Sequence, residues 1–519
     1  MQTSAPTASE PAWPIAGRRT INEHATMGRL AAKVFSFPVM CMFFLVVPVF
    51  RLSARAIAEP DIWWHLRNAG QLVLHHAFPR IDTYSFTAAG SPWLDHEWLS
   101  EIPFFLGFKT MGLQGLLAVY FATLVLIYIG VYYLTCRAGA DCKNAAVATV
   151  LGILCGVVSA GPRMLLFGWL CMVGLLIVLD RFWKTGKGLW MLPPLFALWI
   201  NFHGSWVFGV VVLVVTIASG LVQGEWGLVV ARRWSPVEMK RLLLVLAASL
   251  AALFVNPFGY KLVLYPFDLL FRQPGNMKHI EEWQSVDFSA GNGRLALIMI
   301  FALLAAALFS RRRWRLVDVI LMAFALWAAL LHTRLLFFAG LIVAPILAPS
   351  LKLFPPYDRK QDKPWLNAGI MAAIVGSLIF FFPSPAELQQ QVSEKYPVAA
   401  LAFMQQRHIG GRIFNNYGWG GYMEWNAPQL KPFIDGRADI FIYNQSFDDH
   451  LHATMIQKSF EILDKYRIDY ALLEPDQPLS YLLQHSPAWQ PIYSDKVAVL
   501  FERTSATEAA EMVQRTRPD

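Results

Sequence analysis

A polytopic α-helical membrane protein with about 11 transmembrane helices and a small C-terminal α/β extracytoplasmic domain is the fold class this sequence predicts. Three observations predict it. The chain has 519 residues, of which 56% are hydrophobic and only 15% charged, outside the usual range of soluble proteins. Apolar runs long enough to cross a bilayer, which takes about 20 residues, recur as far as residue 383. Lys and Arg then collect in alternate loops between those runs, the pattern that orients membrane helices.

Taken in order, the expected spans are 34–50, 112–135, 144–161, 164–180, 189–202, 206–223, 242–256, 293–309, 316–331, 335–349 and 366–383. The run 189–202 contains Pro193-Pro194 and is expected to be broken or tilted. Residues 1–33 read as a cytoplasmic tail carrying Arg18, Arg19, Arg29 and Lys33. Basic residues, an apolar segment to Phe50 and Ala54-Arg55-Ala56 look like a signal peptide, but its removal would break the alternation of loops. An uncleaved anchor is therefore expected.

One set of loops carries Arg137 and Lys143; Arg181, Lys184 and Lys187; Arg232, Arg233, Lys240 and Arg241; Arg311, Arg312, Arg313 and Arg315; and Lys352, Arg359, Lys360 and Lys363. The intervening loops are poor in basic residues. The positive-inside rule then puts the N-terminus in the cytoplasm and everything after residue 383 outside. The net charge of +8 thus belongs to membrane orientation and is no signature of nucleic-acid binding. The five cysteines show no C-x-x-C spacing and read as small apolar fillers of the early spans.

Two external loops are long, 51–111 and 257–292, and lie within the transmembrane region 34–383. Three are short, around Gly161-Pro162-Arg163, Asn201-Phe202-His203-Gly204 and Leu331-His332-Thr333-Arg334. Residues 384–519 regain an ordinary charge density. There a helix is expected over 396–406 and another over 460–466, with strands at 411–415, 431–435, 468–473 and 497–501, which makes a small α/β domain.

The first long loop concentrates the residues that carry chemistry. Pro60 and Asp61 suit the first turn of a helix, and a helix from there puts Asp61, His65 and Asn68 on one face. Ile62, Leu66, Ala69 and Val73 form the apolar stripe, and Trp63 and Trp64 are expected at headgroup depth. The plainer alternative is that Asp61 merely caps the helix and the tryptophans merely anchor it. Asp95, His96 and Glu97 form a second cluster, in which Asp95 is either an N-cap or part of a site. Two acid clusters in one loop can supply a base and, with Asp61 and Asp95 as ligands if any, a divalent cation such as Mg²⁺ or Mn²⁺.

The short loops add Arg163, His203, His332 and Arg334, cations that suit a phosphate group or, alternatively, snorkel toward lipid phosphates. The second long loop adds Tyr260, Lys261, Lys278, His279, Glu281, Glu282 and Trp283, able to close over a substrate. Near the C-terminus, Asn415 to Tyr422 reads as a glycine-aromatic turn, and Asp435-Gly436-Arg437-Ala438-Asp439 follows an expected strand. No Walker loop, dinucleotide fingerprint, nucleophile elbow or zinc motif occurs.

The arrangement resembles the GT-C superfamily of membrane glycosyltransferases, which includes oligosaccharyltransferases, protein mannosyltransferases and lipid A aminoarabinose transferases. The matching features span the whole chain: a cytoplasmic N-terminus, a large first external loop with an acid just after span one, a second large loop after span seven, and a soluble final segment. The superfamily's usual pair of acids stands here as Asp61-Ile62. Asp61-Ile62-Trp63-Trp64-His65 with Trp93 to Trp98 also looks like a group of bacterial multispan proteins classed near these enzymes.

The resemblance implies a bacterial inner-membrane enzyme that transfers a sugar from a polyprenyl-phosphate-linked donor to a glycan, lipid or protein acceptor on the external face. It implies Asp61 as base, Asp95 or Glu97 in support, and Arg163, His203 and Arg334 toward the phosphate. A flippase or transporter, an envelope-assembly scaffold and a ligase of the O-antigen type are the alternatives.

Overall fold

The computed structural model describes residues 30–53, 57, 59–159, 161–272 and 280–504. Most of the expected tail, Ala54-Arg55-Ala56, Lys278 and His279 lie outside the described residues, as does the side chain of Glu281.

Every expected apolar run is helical. Helix α1 (Phe37–Ser53) leads to α2 (Ile62–His75), the helix of the first long loop, which ends where His76 turns left-handed at φ 52°. Helix α3 (Trp98–Arg137) joins the end of that loop to the second span. It is interrupted at Gly112, whose φ of 60° is open chiefly to glycine, and the bend presses the Gly107 carbonyl against Gly115. Helices α4 (Cys142–Cys155), α5 (Leu165–Thr185), α6 (Leu192–Phe202) and α7 (Trp206–Ser219) follow. Pro193-Pro194 falls in the first turn of α6, where no amide partner is needed, and a 3-10 turn at Leu189–Met191 precedes it, so the run changes helix type just before its prolines.

A hairpin of β1 (Gly224–Trp226) and β2 (Val229–Ala231) precedes α8 (Pro236–Ala252), which opens with a capping box between Ser235 and Glu238. Then come α9 (Tyr260–Arg272), α10 (Gly291–Phe309), β3 (Trp314–Arg315), α11 (Leu316–Leu331), α12 (Leu336–Leu347) and α13 (Pro364–Phe380). Among the described residues, four helical segments, Trp98–Arg137, Leu165–Thr185, Gly291–Phe309 and Thr333–Ser350, are long and apolar enough to cross a membrane. A fifth arises if α13 and the following helix, bent by 55°, count as one; five shorter apolar helices accompany them. Helix α12 is buried along nearly its whole length, against α4 and α11, and forms the centre of the bundle.

Contacts sort the loops to two ends. At the basic end, β2 pairs with β3, Arg137 with Asp180 at 2.5 Å, and the Tyr357 amide with Asp141 at 2.5 Å. At the other end, Trp98 donates to Asn201 at 2.9 Å, Arg163 pairs with Glu59 and Glu282, and the His332 ring meets the Trp283 carbonyl at 2.7 Å. The loops divide as the alternation of charge requires.

The C-terminal segment packs on this second end. Helices α14 (Pro385–Lys395) and α15 (Val398–Gln406) lead to a four-stranded sheet with the order β4 (Ile413–Asn415), β5 (Tyr470–Leu473), β7 (Val499–Arg503), β6 (Trp489–Ser494). Strands β4 and β5 are parallel, and the other pairs are antiparallel. The expected strand at 431–435 is only a bridge from Ile413 to Pro432. There the Asn415 side chain takes the amides of Phe433, at 2.7 Å, and Ile434, at 3.3 Å, so no ladder is needed.

Strand alternation divides the sheet between two cores. Phe414, Ala471, Leu473 and Phe501 face one cluster; Ile413, Leu472 and Leu500 face another that continues without a break into the membrane helices. Helix α2 is the wedge between them, with Trp63 in the second and Trp64 in the first. The two tryptophans are therefore packed in protein, Trp63 edge-on to Tyr396 and Tyr422 and Trp64 edge-on to Trp93, and not at headgroup depth as their spacing suggested.

Candidate functional site

The N-terminus of α2 places Asp61 where the two parts of the chain meet. Asp61 occupies the N-cap position with helical dihedrals and makes no capping hydrogen bond. Its Oδ1 accepts instead from Trp64 Nε1 at 3.2 Å, so capping is not what this acid does. The backbone of Gly436 abuts the carboxylate: a Cβ there would lie 1.6 Å from Oδ1. Loss of water, with Glu59 adding repulsion, pushes the Asp61 carboxyl up to about 7 against the pull of Trp64 and Arg163. Asp61 stays half-buried, within reach of a substrate.

One turn further on, His65 is buried. Its Nδ1 lies 2.6 Å from Glu101 Oε1, which also accepts from Asn68 at 3.3 Å, and Tyr84 donates to Asn68 at 2.8 Å. Three imidazoles surround Glu97: the Nε2 atoms of His203, His65 and His96 stand 3.2, 3.6 and 3.8 Å from its oxygens. The Ser205 amide donates to His203 Nδ1 at 2.9 Å, so neutral His203 carries its proton on Nε2 and donates it to Glu97. Burial holds His203 and His65 well below the usual imidazole range and lowers His96 to about 4. Burial first, then the charges of Asp95 and Asp61, raises Glu97 to about 8, and burial raises Asp95 to about 7. At neutral pH this cluster stores protons on its acids and none on its imidazoles. His203 thus offers a hydrogen bond and not the positive charge its residue type suggested.

Asp95 lies before the helix, its Oδ1 accepting the Glu97 amide at 3.4 Å, while Glu97 takes the N-cap position without capping. Asp61 and Asp95 share no hydrogen-bond partner, and no group of three or more His, Cys, Asp or Glu able to hold a metal ion occurs among the described residues.

Around the rim, Arg163 is neutralised by Glu59 and Glu282. Arg334 lies 4.5 Å over the Trp283 ring and has no ion pair among the described residues. His332 holds the Trp283 carbonyl and so supports that ring. From the second long loop, Tyr265 of α9 stacks on His96 at 4.2 Å and donates to Asp439 of the C-terminal segment at 3.2 Å. Arg437 is wholly enclosed, bonded to Asp435 at 2.6 Å and Asp82 at 2.9 Å and 3.5 Å from Glu424.

The structure thus brings Asp61, His65, Asp95, Glu97, Arg163, His203, Glu282, His332 and Arg334 to one end of the molecule. Sequence reasoning missed Glu101, Asp82 and Glu424. For Glu101 the signal was its i,i+4 spacing from Glu97 on the same helix; Asp82 and Glu424 had none.

No protein-family model matches the chain, and no curated protein matches it. Among solved structures, the crystal structure of ArnT from Cupriavidus metallidurans bound to undecaprenyl phosphate matches with a TM-score of 0.50 at 14% identity, covering 90% of this chain and 98% of that one. At that identity the likeness is one of fold: the chain is folded like that protein over most of its length.

Proposed function

We propose that the chain is an inner-membrane glycosyltransferase that moves a sugar from a polyprenyl-phosphate-linked donor to a hydroxyl or similar nucleophile of a glycan, lipid or protein acceptor. The reaction is assigned to the end that carries Asp61, taken as extracytoplasmic. The observation that carries this reading is Asp61 itself: a half-buried carboxylate with one hydrogen bond, held to about 7, at the junction of both parts of the chain. A fold like that of a protein solved with undecaprenyl phosphate supports the class of donor.

In the proposed step the acceptor oxygen attacks the anomeric carbon and the bond from that carbon to the phosphate oxygen breaks. The acceptor's proton passes to Asp61, and the electron pair leaves with the lipid phosphate. Such a phosphate departs readily, so the protein must chiefly remove the proton and stabilise the phosphate's charge. Arg334 is the stronger phosphate ligand, because the charge of Arg163 is already balanced by two acids. Glu282, His332 and the Glu281 segment position these cations. Asp95, Glu97, His65 and His203 hold the proton inventory behind Asp61.

The test uses the full chain in membranes supplied with polyprenyl-phosphate-linked sugars, reading release of free polyprenyl phosphate. Asp61→Asn should lower the rate by about 100-fold or more with unchanged thermal unfolding, and the wild-type rate should rise with pH through about 7 as the base loses its proton. Full activity in a folded Asp61→Asn protein would remove Asp61 as base.

A further inference from the structure

At the opposite end of the bundle from Asp61, the ends of α3, α5, α7 and α12 and the start of α11 form a half-open cavity of about 100 Å³. Its walls are apolar, formed by Leu134, Leu176, Leu179, Leu321 and Ile342, and its polar side carries Asp180, Arg312, Arg315 and Asp318. The charges there do not cancel. Asp180 is shared by Arg137 at 2.5 Å and Lys184 at 2.7 Å, and Asp318 is gripped by Arg315 at 2.6 Å and 2.8 Å. Four cations therefore face two acids, and the surplus includes Arg312.

Arg312 has no acidic partner among the described residues. It is fixed in place nonetheless, donating through Nη1 to the Ile346 carbonyl at 2.9 Å and lying 5.8 Å over the Trp314 ring. Its remaining donors are available to an anion. An oriented guanidinium beside an apolar cleft, at the depth where the helices end and the basic loops begin, matches a lipid headgroup better than a soluble ion.

We propose that this cavity binds the phosphate of an anionic phospholipid, with Arg312 as its charge partner and an acyl chain along Leu176, Leu179 and Leu321. The site is separate from Asp61 and does not depend on the transferase reading. It would couple the packing of α3, α5, α11 and α12 to the lipid composition of the leaflet at the basic end.

Native mass spectrometry of the full chain in detergent tests this, with phosphatidylglycerol as the probe, phosphatidylcholine as the zwitterionic, net-neutral control and inorganic phosphate as the soluble one. Phosphatidylglycerol should bind the wild type with phosphatidylcholine and inorganic phosphate well below it. Arg312→Gln should weaken phosphatidylglycerol at least roughly tenfold, the loss of one charge-assisted hydrogen bond. Leu179→Trp, which fills the cleft and leaves every charge in place, should weaken it as well, and it decides the matter if Arg312→Gln does not fold. Unchanged phosphatidylglycerol binding in either folded variant, or equal binding of phosphatidylcholine, would overturn the site. Full competition by inorganic phosphate would overturn the lipid and leave a soluble anion.

Discussion

At the scale of single residues, the buried cluster around Glu97 and Arg437 sets how the protein responds to pH and charge. Glu97 is raised to about 8 and Asp95 to about 7, so the folded state keeps protons that the unfolded chain gives up near 4. Stability from these groups is present at low pH and is lost as pH rises through their folded values. His96, lowered to about 4, acts in the opposite sense below about 6.5, where the unfolded chain gains a proton first. Above about 7.5 the unfolded imidazoles are already neutral and only the acids still titrate, so thermal unfolding in detergent should fall between about 7.5 and 8.5 in the wild type. Glu97→Gln should flatten the decline; an unchanged slope would show that Glu97 does not hold its proton. Arg437 makes the complementary case. Its removal would strand Asp82, Asp435 and Glu424 in a dry site, and Arg437→Gln should cost about 3–5 kcal/mol, read as a large drop in the unfolding midpoint. The residue types around Asp61 were legible in the sequence, and so was the Asp435-Gly436-Arg437 turn; their pairing was not, because Asp82 and Glu424 carry no local pattern and the contacts join separate stretches of the chain.

Elements explain why the acids end up poised. Helix α2 was readable from its spacing, since Asp61, His65 and Asn68 recur at helical intervals beside an apolar stripe. What spacing could not supply is the second surface. Helix α16 (Gly420–Asn426) packs on α2, Arg67 reaches the Glu424 carbonyl at 3.1 Å, and the Asp435-Gly436-Arg437 turn closes over Asp61. Both faces of α2 are thereby covered, and tryptophans that looked like lipid anchors become core. Gly436→Ala should push this turn off the carboxylate, with a cost of about 1–3 kcal/mol and a fall in transferase rate. Native stability with native rate in Gly436→Ala would show that the contact is slack.

For the molecule as a whole, one face of the C-terminal sheet has no core separate from that of the membrane helices. Leu388, Leu401, Met404 and Leu500 belong to the same apolar cluster as Trp63, Phe104 and the membrane helices. Ending the chain at residue 383 should therefore expose Trp63 and Trp64 and give a protein that aggregates or is cleaved in the first long loop, as limited proteolysis would reveal. A truncated protein with the wild-type protease pattern would mean that the two parts are energetically independent.

The sequence by itself determined the class: apolar runs set the helices, and the alternation of basic loops sorted their ends, because both are local properties of composition along the chain. It also pointed to the first long loop as the seat of chemistry. Only the tertiary structure decided which acids meet which imidazoles, that Arg163 is already paired while Arg334 has no ion pair among the described residues, and that the Asp435-Gly436-Arg437 turn closes over Asp61. Most of those facts depend on contacts between residues tens to hundreds of positions apart, and no periodicity or spacing encodes such contacts.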